Sequence, residues 1–253
     1  MQFKVLIPAR MASQRLPGKP LVDLLGEPLI LHVCEKARGS GAEQVLVATD
    51  DQRIHDVCQS AGFRAEFTGS GHISGTDRIA EVVTRLGWDE DEIVVNLQCD
   101  EPMMPVVDIL QVAQLLDAHE DVQMATLCTP IHELEDYLNP NVVKLVSDQA
   151  GNALYFSRAP IPWNRGGASV GLASQQHWQG SLRHIGMYAY RVGALRQLAA
   201  TPACETEQLE KLEQLRALWL GMKIAVDVAR EAPGPGVDTP EDLKRVTRLL
   251  EVG

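Results

Sequence analysis

Two short stretches carry residue types that could do chemistry on a phosphate. The first is PARMASQRLPGKPL (8–21), in which Arg10, Arg15 and Lys19 fall within ten residues, with Ser13 and Gly18 between them. An arginine offers a fork of donors to phosphate oxygens and a lysine a compact point charge. Glycine lets backbone N–H groups turn toward an anion. The stretch reads either as a triphosphate-binding loop or as a solvated basic loop. The pattern GxxxxGK[ST] is absent, and so is GxGxxG, so neither a Walker loop nor a dinucleotide fingerprint is implied. The second stretch is VVNLQCDEPMMP (94–105). Here an apolar run stops at Gln98 and is followed by Cys99, Asp100 and Glu101. A thiol beside two carboxylates can be a nucleophile, a metal ligand or incidental.

The elements that position these stretches follow from hydrophobic patterning. Residues 3–7, 44–48 and 92–97 read as buried strands. Helical patterns cover 28–39, 51–61, 75–87 and 105–118. Strands of continuous apolar character alternating with helices imply a parallel sheet covered on both faces. From about 125 to 200 the strands crowd together (142–146, 153–156, 185–190), which reads as a continuation of the sheet plus a smaller, partly antiparallel insertion. Residues 164–180, rich in Gly, Ser and Gln, read as a mobile loop. A helix over 205–220 with Leu209, Leu212, Leu215 and Trp219 on one face, a strand over 223–228 and a helix over 240–251 complete the chain. Ligands of such folds sit at the carboxyl ends of the strands, so the two stretches should meet in one cleft.

Composition bounds the function. A length of 253 residues with 45% hydrophobic and 23% charged residues fits a soluble globular chain. The net charge of −11 argues against broad nucleic-acid binding. Five cysteines (34, 58, 99, 128 and 204) form no CxxC pair, so neither a zinc site nor a disulfide framework is expected. The start MQFKVLIPAR is too short for a signal peptide, and no run of about 18 apolar residues exists, so a cytoplasmic location without membrane insertion is expected.

PARMASQRLPGKPL resembles the loop of the sugar-activating nucleotidyltransferases, and among them the CMP-Kdo synthetase family of 3-deoxy-manno-octulosonate cytidylyltransferases. VATDD (47–51), SGTDR (74–78), NLQCDEP (96–102), NPNVVK (139–144), YFSRAPIPW (155–163), RHIGMYAYR (183–191), LEQLR (212–216) and PGVDTPEDL (235–243) agree with that family in order along the chain. The related sialic-acid enzymes carry a first loop like GGSKGIPGKN, which this chain lacks.

The resemblance implies a nucleotide-diphospho-sugar transferase fold: one α/β domain over 1–253, with a mostly parallel Rossmann-like sheet and a dimerisation segment at about 125–200. It implies a homodimer that moves CMP from CTP to the anomeric hydroxyl of Kdo with Mg²⁺, releasing pyrophosphate, for lipopolysaccharide synthesis. Asp100 and Asp238 are then the metal ligands and, with Lys19 and Arg10, the catalytic set. Arg15, Ser13, Ser74 and Arg78 bind the nucleotide. The anionic sugar needs a cation and hydroxyl partners, for which Arg158, His184, Tyr188, Gln98, Glu213 and Gln214 stand as candidates.

Local readings compete at several positions. Asp238 precedes a Thr-Pro-Glu-Asp helix start and would also serve as a cap. Arg78 could pair with Asp77 or Glu81, and Glu101 could support the site or face solvent. His32, His55, His119 and His132 read as structural or exposed. The same fold could serve 8-amino-Kdo or sialic acid, or a weakly catalytic nucleotide-binding homologue. In the family the position of Cys99 looks like glycine (QGDEP). A Cβ there is costly if the backbone needs φ > 0 or if substrate passes close by.

Overall fold

A computed structural model describes residues 1–13, 15–72, 74–166 and 171–252. The chain opens with β1 (Lys4–Ala9), a 3₁₀ turn at Lys19–Leu21 and a small hairpin of β2 (Asp23–Leu24) and β3 (Glu27–Pro28). Then follow α1 (Leu29–Gly39), β4 (Gln44–Thr49), α2 (Gln52–Ser60), β5 (Arg64–Phe67), α3 (Gly75–Arg85), β6 (Ile93–Asn96) and α4 (Val106–Asp117). The second half contributes β7 (Met124–Pro130), α5 (Leu134–Leu138), β8 (Lys144–Ser147), β9 (Ala153–Ser157) and β10 (Leu182–Arg191). It closes with α6 (Val192–Ala200), α7 (Glu205–Glu210), α8 (Gln214–Trp219), β11 (Ile224–Val228) and α9 (Pro240–Val252).

The main sheet runs β11-β7-β10-β6-β1-β4-β5, with the β8–β9 hairpin attached to β10. All six residues of β1 are buried, since it pairs in parallel with β4 on one side and β6 on the other. Period-2 alternation divides its side chains between two layers. Val5 and Ile7 join the apolar layer under α1 and α4, while Leu6 joins the opposite layer with Ile79 of α3 and Leu195 of α6. The expected α/β architecture with both faces covered is therefore the observed one. β10, antiparallel to both β6 and β7, continues the sheet through the region where strands crowd together.

Two local expectations change. β5, β7, α5 and α6 arise where no element was read from sequence. Of the loop at 164–180, residues 167–170 lie outside the described residues, and Gln175 links its two described parts. Gln175, fully buried, accepts from the Asn164 N–H at 2.8 Å and donates to its carbonyl at 3.1 Å. The helix expected over 205–220 is two helices, α7 and α8, broken at Lys211, whose φ of 54° is left-handed. The break takes Leu209 and Trp219 off the apolar face: they are 75% and 65% exposed, whereas Leu212 and Leu215 are buried.

A buried ion pair fixes this broken segment. Arg216 forks onto Glu207 at 2.8 and 2.7 Å and donates to the carbonyls of Leu198 and Thr201, tying α6, α7 and α8 together. Removing one partner of such a pair leaves an uncompensated buried charge, at a cost of about 3–5 kcal/mol. Arg216→Met is expected to lower unfolding free energy by about 3 kcal/mol in urea titration. A change below about 1 kcal/mol would mean that Glu207 finds water or another partner.

Candidate active site

The chain passes from β1 to β4 and β5 on one side, then crosses to β6 on the other, so the order of strands switches between β1 and β6. Crevices form at such switch points, outside the carboxyl ends of the strands. A cleft of about 840 Å³ lies there, lined by the loop after β1, the start of α3, residues 98–100 and Asp238. Two glycines shape it. Gly18, at φ 70°, caps the 3₁₀ turn that presents Lys19. Gly75 lets α3 close on β1, since a Cβ there would stand 2.9 Å from the ring of Pro8.

Lys19 occupies the centre. Its Nζ donates to Asp100 Oδ2 at 2.6 Å and to Asp238 Oδ1 at 2.9 Å, and Arg15 reaches the same Asp238 oxygen at 3.0 Å. Burial opposes the ammonium charge, but the two carboxylates outweigh it and raise the Lys19 pKa above its ordinary value. The competing capping role of Asp238 is filled by Asp242. That carboxylate accepts from the Thr239 N–H at 2.9 Å, and Thr239 Oγ1 accepts from the Asp242 N–H at 3.2 Å. Asp238 is thereby left for the two cations. Arg10 and Ser13 line the same cleft.

The first turn of α3 forms the opposite wall. Ser74 caps it, accepting from the Asp77 N–H at 3.1 Å. Arg78 is buried and pairs with neither Asp77 nor Glu81. It donates to Asp50 at 3.1 Å and to the Thr68 hydroxyl, so the end of β4 and the turn after β5 aim it. Asp50 was not singled out from sequence, although VATDD marks its neighbourhood. His72, paired with Glu81, also reaches the cleft wall without having been foreseen.

A second pocket of about 300 Å³ adjoins the cleft and shares Gly75, Gln98 and Glu213 with it. His184, Tyr188 and Gln214 line it, as does Lys211. Tyr188 and Gln214 are each only 7% exposed, yet Tyr188 Oη and Gln214 Nε2 have no hydrogen-bond partner among the described residues. Buried polar groups are as a rule paired, so two orphans in one pocket mark a place for a polar ligand. Burial raises the Glu213 pKa, and the nearby Ser74 and Thr76 hydroxyls act against that rise.

His184 is not a cation. Burial lowers its pKa to about 3, and no carboxylate offsets this. Thr126 has one hydroxyl proton, which its oxygen donates toward the carbonyls of Met187 at 2.8 Å and Ile185 at 3.1 Å. His184 Nε2, 3.0 Å from that oxygen, is therefore the donor, and Nδ1 remains as an acceptor. Arg158 lines neither cavity. Its guanidinium donates to the carbonyls of Glu210 at 2.6 Å and Pro140 at 2.9 Å, and so ties β9 to α7. Neither expected cation serves the pocket in this arrangement.

Glu101 stands beside the paired aspartates. Burial, then the Asp100 charge, push its pKa up to about 8. Cys99 resolves more simply. Its φ is not left-handed, so its Cβ carries no backbone strain. The side chain packs onto the apolar layer below and edges the cleft, while burial pushes the thiol up to about 12. A thiol so held is a poor nucleophile. His32 Nε2 donates to the Leu24 carbonyl (2.7 Å), and His55 stacks on Phe67, both away from the cleft.

Fold and cleft together define a nucleotide-handling transferase of the doubly wound class. A family model described as cytidylyltransferase matches residues 4–224. A 3-deoxy-manno-octulosonate cytidylyltransferase of Thioalkalivibrio sulfidiphilus (strain HL-EbGR7) is 56% identical over 251 residues, covering 99% of both chains. Another so named, from Alkalilimnicola ehrlichii (strain ATCC BAA-1101 / DSM 17681 / MLHE-1), is 56% identical over 248 residues, covering 98% of this chain and 96% of its own. A solved CMP:2-keto-3-deoxy-manno-octonic acid synthetase complexed with CTP superposes with a TM-score of 0.89 at 40% identity, covering 100% of this chain and 99% of its own. A 4-diphosphocytidyl-2C-methyl-D-erythritol synthase, at 15% identity and a TM-score of 0.62 over 98% of each chain, shares the fold. This chain belongs to the cytidylyltransferase family.

Two measurements test the site's local chemistry. Because the Cys99 backbone is unstrained, Cys99→Gly is expected to leave sugar KM and kcat within about twofold of wild type; a larger change would show that the thiol shapes the pocket. His184 titrates near 6.5 when unfolded but near 3 when folded, so between those values the unfolded state binds the extra proton. Its contribution is intact above pH 6.5 and is lost as pH falls toward 3. The ring stays partly accessible, which makes about 1.4 kcal/mol per pH unit the upper bound on the slope. Urea titrations across this range should give a shallower slope for His184→Gln; parallel curves would show that the histidine protonates freely in the folded protein.

Proposed function

We propose that this chain is a 3-deoxy-manno-octulosonate cytidylyltransferase. It transfers CMP from CTP to the anomeric hydroxyl of Kdo, releases pyrophosphate, and supplies an activated sugar for lipopolysaccharide synthesis. The observation that carries the reading is the pairing of two cavities. A cleft lined by Arg10, Arg15, Lys19 and two aspartates opens onto a small pocket that holds two orphaned buried polar atoms. The first suits a triphosphate and the second a polyhydroxylated acceptor. The names of two relatives at 56% identity support the choice of sugar.

Asp100 and Asp238 are the groups that would hold Mg²⁺. Among the described residues no cluster of three or more His, Cys, Asp or Glu could hold a metal. Mg²⁺ does not need one, since it takes one or two carboxylates and fills its remaining positions with water and phosphate oxygens. The two aspartates already converge on one cation, the Lys19 ammonium, so the donor set fits. When bound, Mg²⁺ would neutralise phosphate charge and lower the pKa of the sugar hydroxyl.

The chain's own side chains do the positioning. Arg10, Arg15 and Lys19 supply positive charge for the triphosphate. Ser74 and the first turn of α3 offer N–H groups and a favourable dipole. Arg78, held by Asp50, braces that turn. Gln98 and Glu213, common to both cavities, stand where nucleotide and sugar meet. His184 Nδ1 accepts from a sugar hydroxyl, while Gln214 Nε2 donates and Tyr188 Oη does either. In-line attack of the hydroxyl on the α-phosphate then needs orientation and charge stabilisation more than covalent help.

A second copy of the chain is the occupant this reading gives to the exposed apolar side chains of β9, α7 and α8. Leu154, Leu209 and Trp219 are 60%, 75% and 65% exposed there, and β9 pairs in the sheet with β8 alone. All five cysteines are free thiols, which suits a reducing cytoplasm. No described helix is long and apolar enough to cross a membrane.

Pyrophosphate release from CTP is the direct test, with Kdo, 8-amino-Kdo and sialic acid compared side by side. Release is expected with Kdo and Mg²⁺, to be abolished by EDTA, and to fall about 100-fold or more in Asp100→Asn. Release with sialic acid, or with none of the sugars from folded protein, would overturn the assignment.

A further inference from the structure

We propose that Lys211 supplies the positive charge that recognises the carboxylate of the sugar acid. This rests on the reading of the small pocket as the sugar site. Among the described residues Lys211 is the one lysine or arginine on the pocket wall, and burial holds His184 neutral. Arg158 does not line the pocket, and its Nε and Nη1 donate to backbone carbonyls elsewhere. A singly charged acid brought to this site therefore meets one cation.

Lys211 is placed for that task. Its side chain is exposed on the wall between the pocket and a neighbouring groove of about 950 Å³. Among the described residues no carboxylate lies within 4 Å of its ammonium, unlike Lys4, Lys19 and Lys223. The backbone supplies an independent sign. Lys211 closes α7 at φ 54° and ψ 48°, with its N–H donating to the Glu207 carbonyl. Glycine or asparagine is the relaxed choice at such a cap. Apart from Leu25 in the β2–β3 turn, Lys211 is the one described non-glycine residue with positive φ. Strained backbone of this sort gathers at ligand-binding sites, where a side chain is worth more than relaxed geometry. The turn it makes also sets Glu213 and Gln214 at the start of α8, so cation and hydroxyl partners come from one five-residue stretch, KLEQL.

Glycine at this position separates the two roles, because it relaxes the cap and deletes the charge. Steady-state kinetics of Lys211→Gly, Lys211→Met and Lys211→Arg are compared with wild type, using Kdo and its methyl ester as substrate or competitive inhibitor. The expected result is an about tenfold rise in KM for Kdo in the Gly and Met variants, with KM for CTP unchanged. The Arg variant should keep most of the affinity, and Lys211→Gly should melt above wild type. The ester should bind wild type and Lys211→Met alike, since its charge is gone. An unchanged KM for Kdo in folded Lys211→Gly would overturn the proposal, as would an equal loss for Kdo and ester. Wild type that turns over no Kdo would instead refute the functional reading on which the proposal rests.

Discussion

The structure of the site depends on one ammonium group between two carboxylates. Lys19 meets Asp100, 81 residues away, and Asp238, 219 residues away, so three remote segments converge on a single positive charge. Without a cation there, Asp100 and Asp238 would confront each other across a partly buried crevice at a cost in free energy. The sheet makes the arrangement possible. β1 and β6 are adjacent and parallel, so the loops that leave them start side by side. The final segment returns to close the triangle, with the Val237 N–H donating to the Asp100 carbonyl at 2.8 Å. The same electrostatics make this a place where a divalent ion and a polyanion can be exchanged for an internal ion pair.

Much of this was legible in the sequence, for physical reasons. The strand centres VLI (5–7) and IVV (93–95) are apolar throughout because helices cover both faces, and that pattern survives in one dimension. The cationic loop was legible because phosphate recognition needs donors close together in the chain. Asp100 stood out because it ends an apolar run. Asp238 could be read as a cap until Asp242 was seen to perform the capping.

What failed was decided by tertiary context. The period of 205–220 suits one helix, and nothing in KLEQL announces that Lys211 adopts a left-handed conformation. A sugar acid needs a cation, which makes Arg158 a candidate from sequence, but a chain-distant event, the approach of α7 to β9, turns its Nε and Nη1 to carbonyls. His184 lines the pocket as its motif implies, while its protonation depends on burial by Phe156, Tyr188 and the sheet beneath. Cys99 raised a steric concern that only a backbone dihedral could remove. Sequence exposes which groups are available; desolvation and competing partners determine which are charged and free.

The two cavities consequently divide the electrostatics between them. The nucleotide cleft concentrates formal charge, with three arginines, a lysine and two aspartates arranged to handle phosphates. The adjoining pocket suppresses charge: its histidine is neutral, its tyrosines stay protonated, and burial raises the pKa of its single glutamate. A neutral, hydrogen-bonding pocket beside a charged one reduces misplacement of phosphate in the sugar site, because a multiply charged group would lose solvation there without compensation. It also preserves the force of any isolated charge at its rim, since few neighbouring ions compete for the ligand. Discrimination between donor and acceptor thus begins before any bond is made, in the unequal distribution of charge across the Gln98–Glu213 boundary.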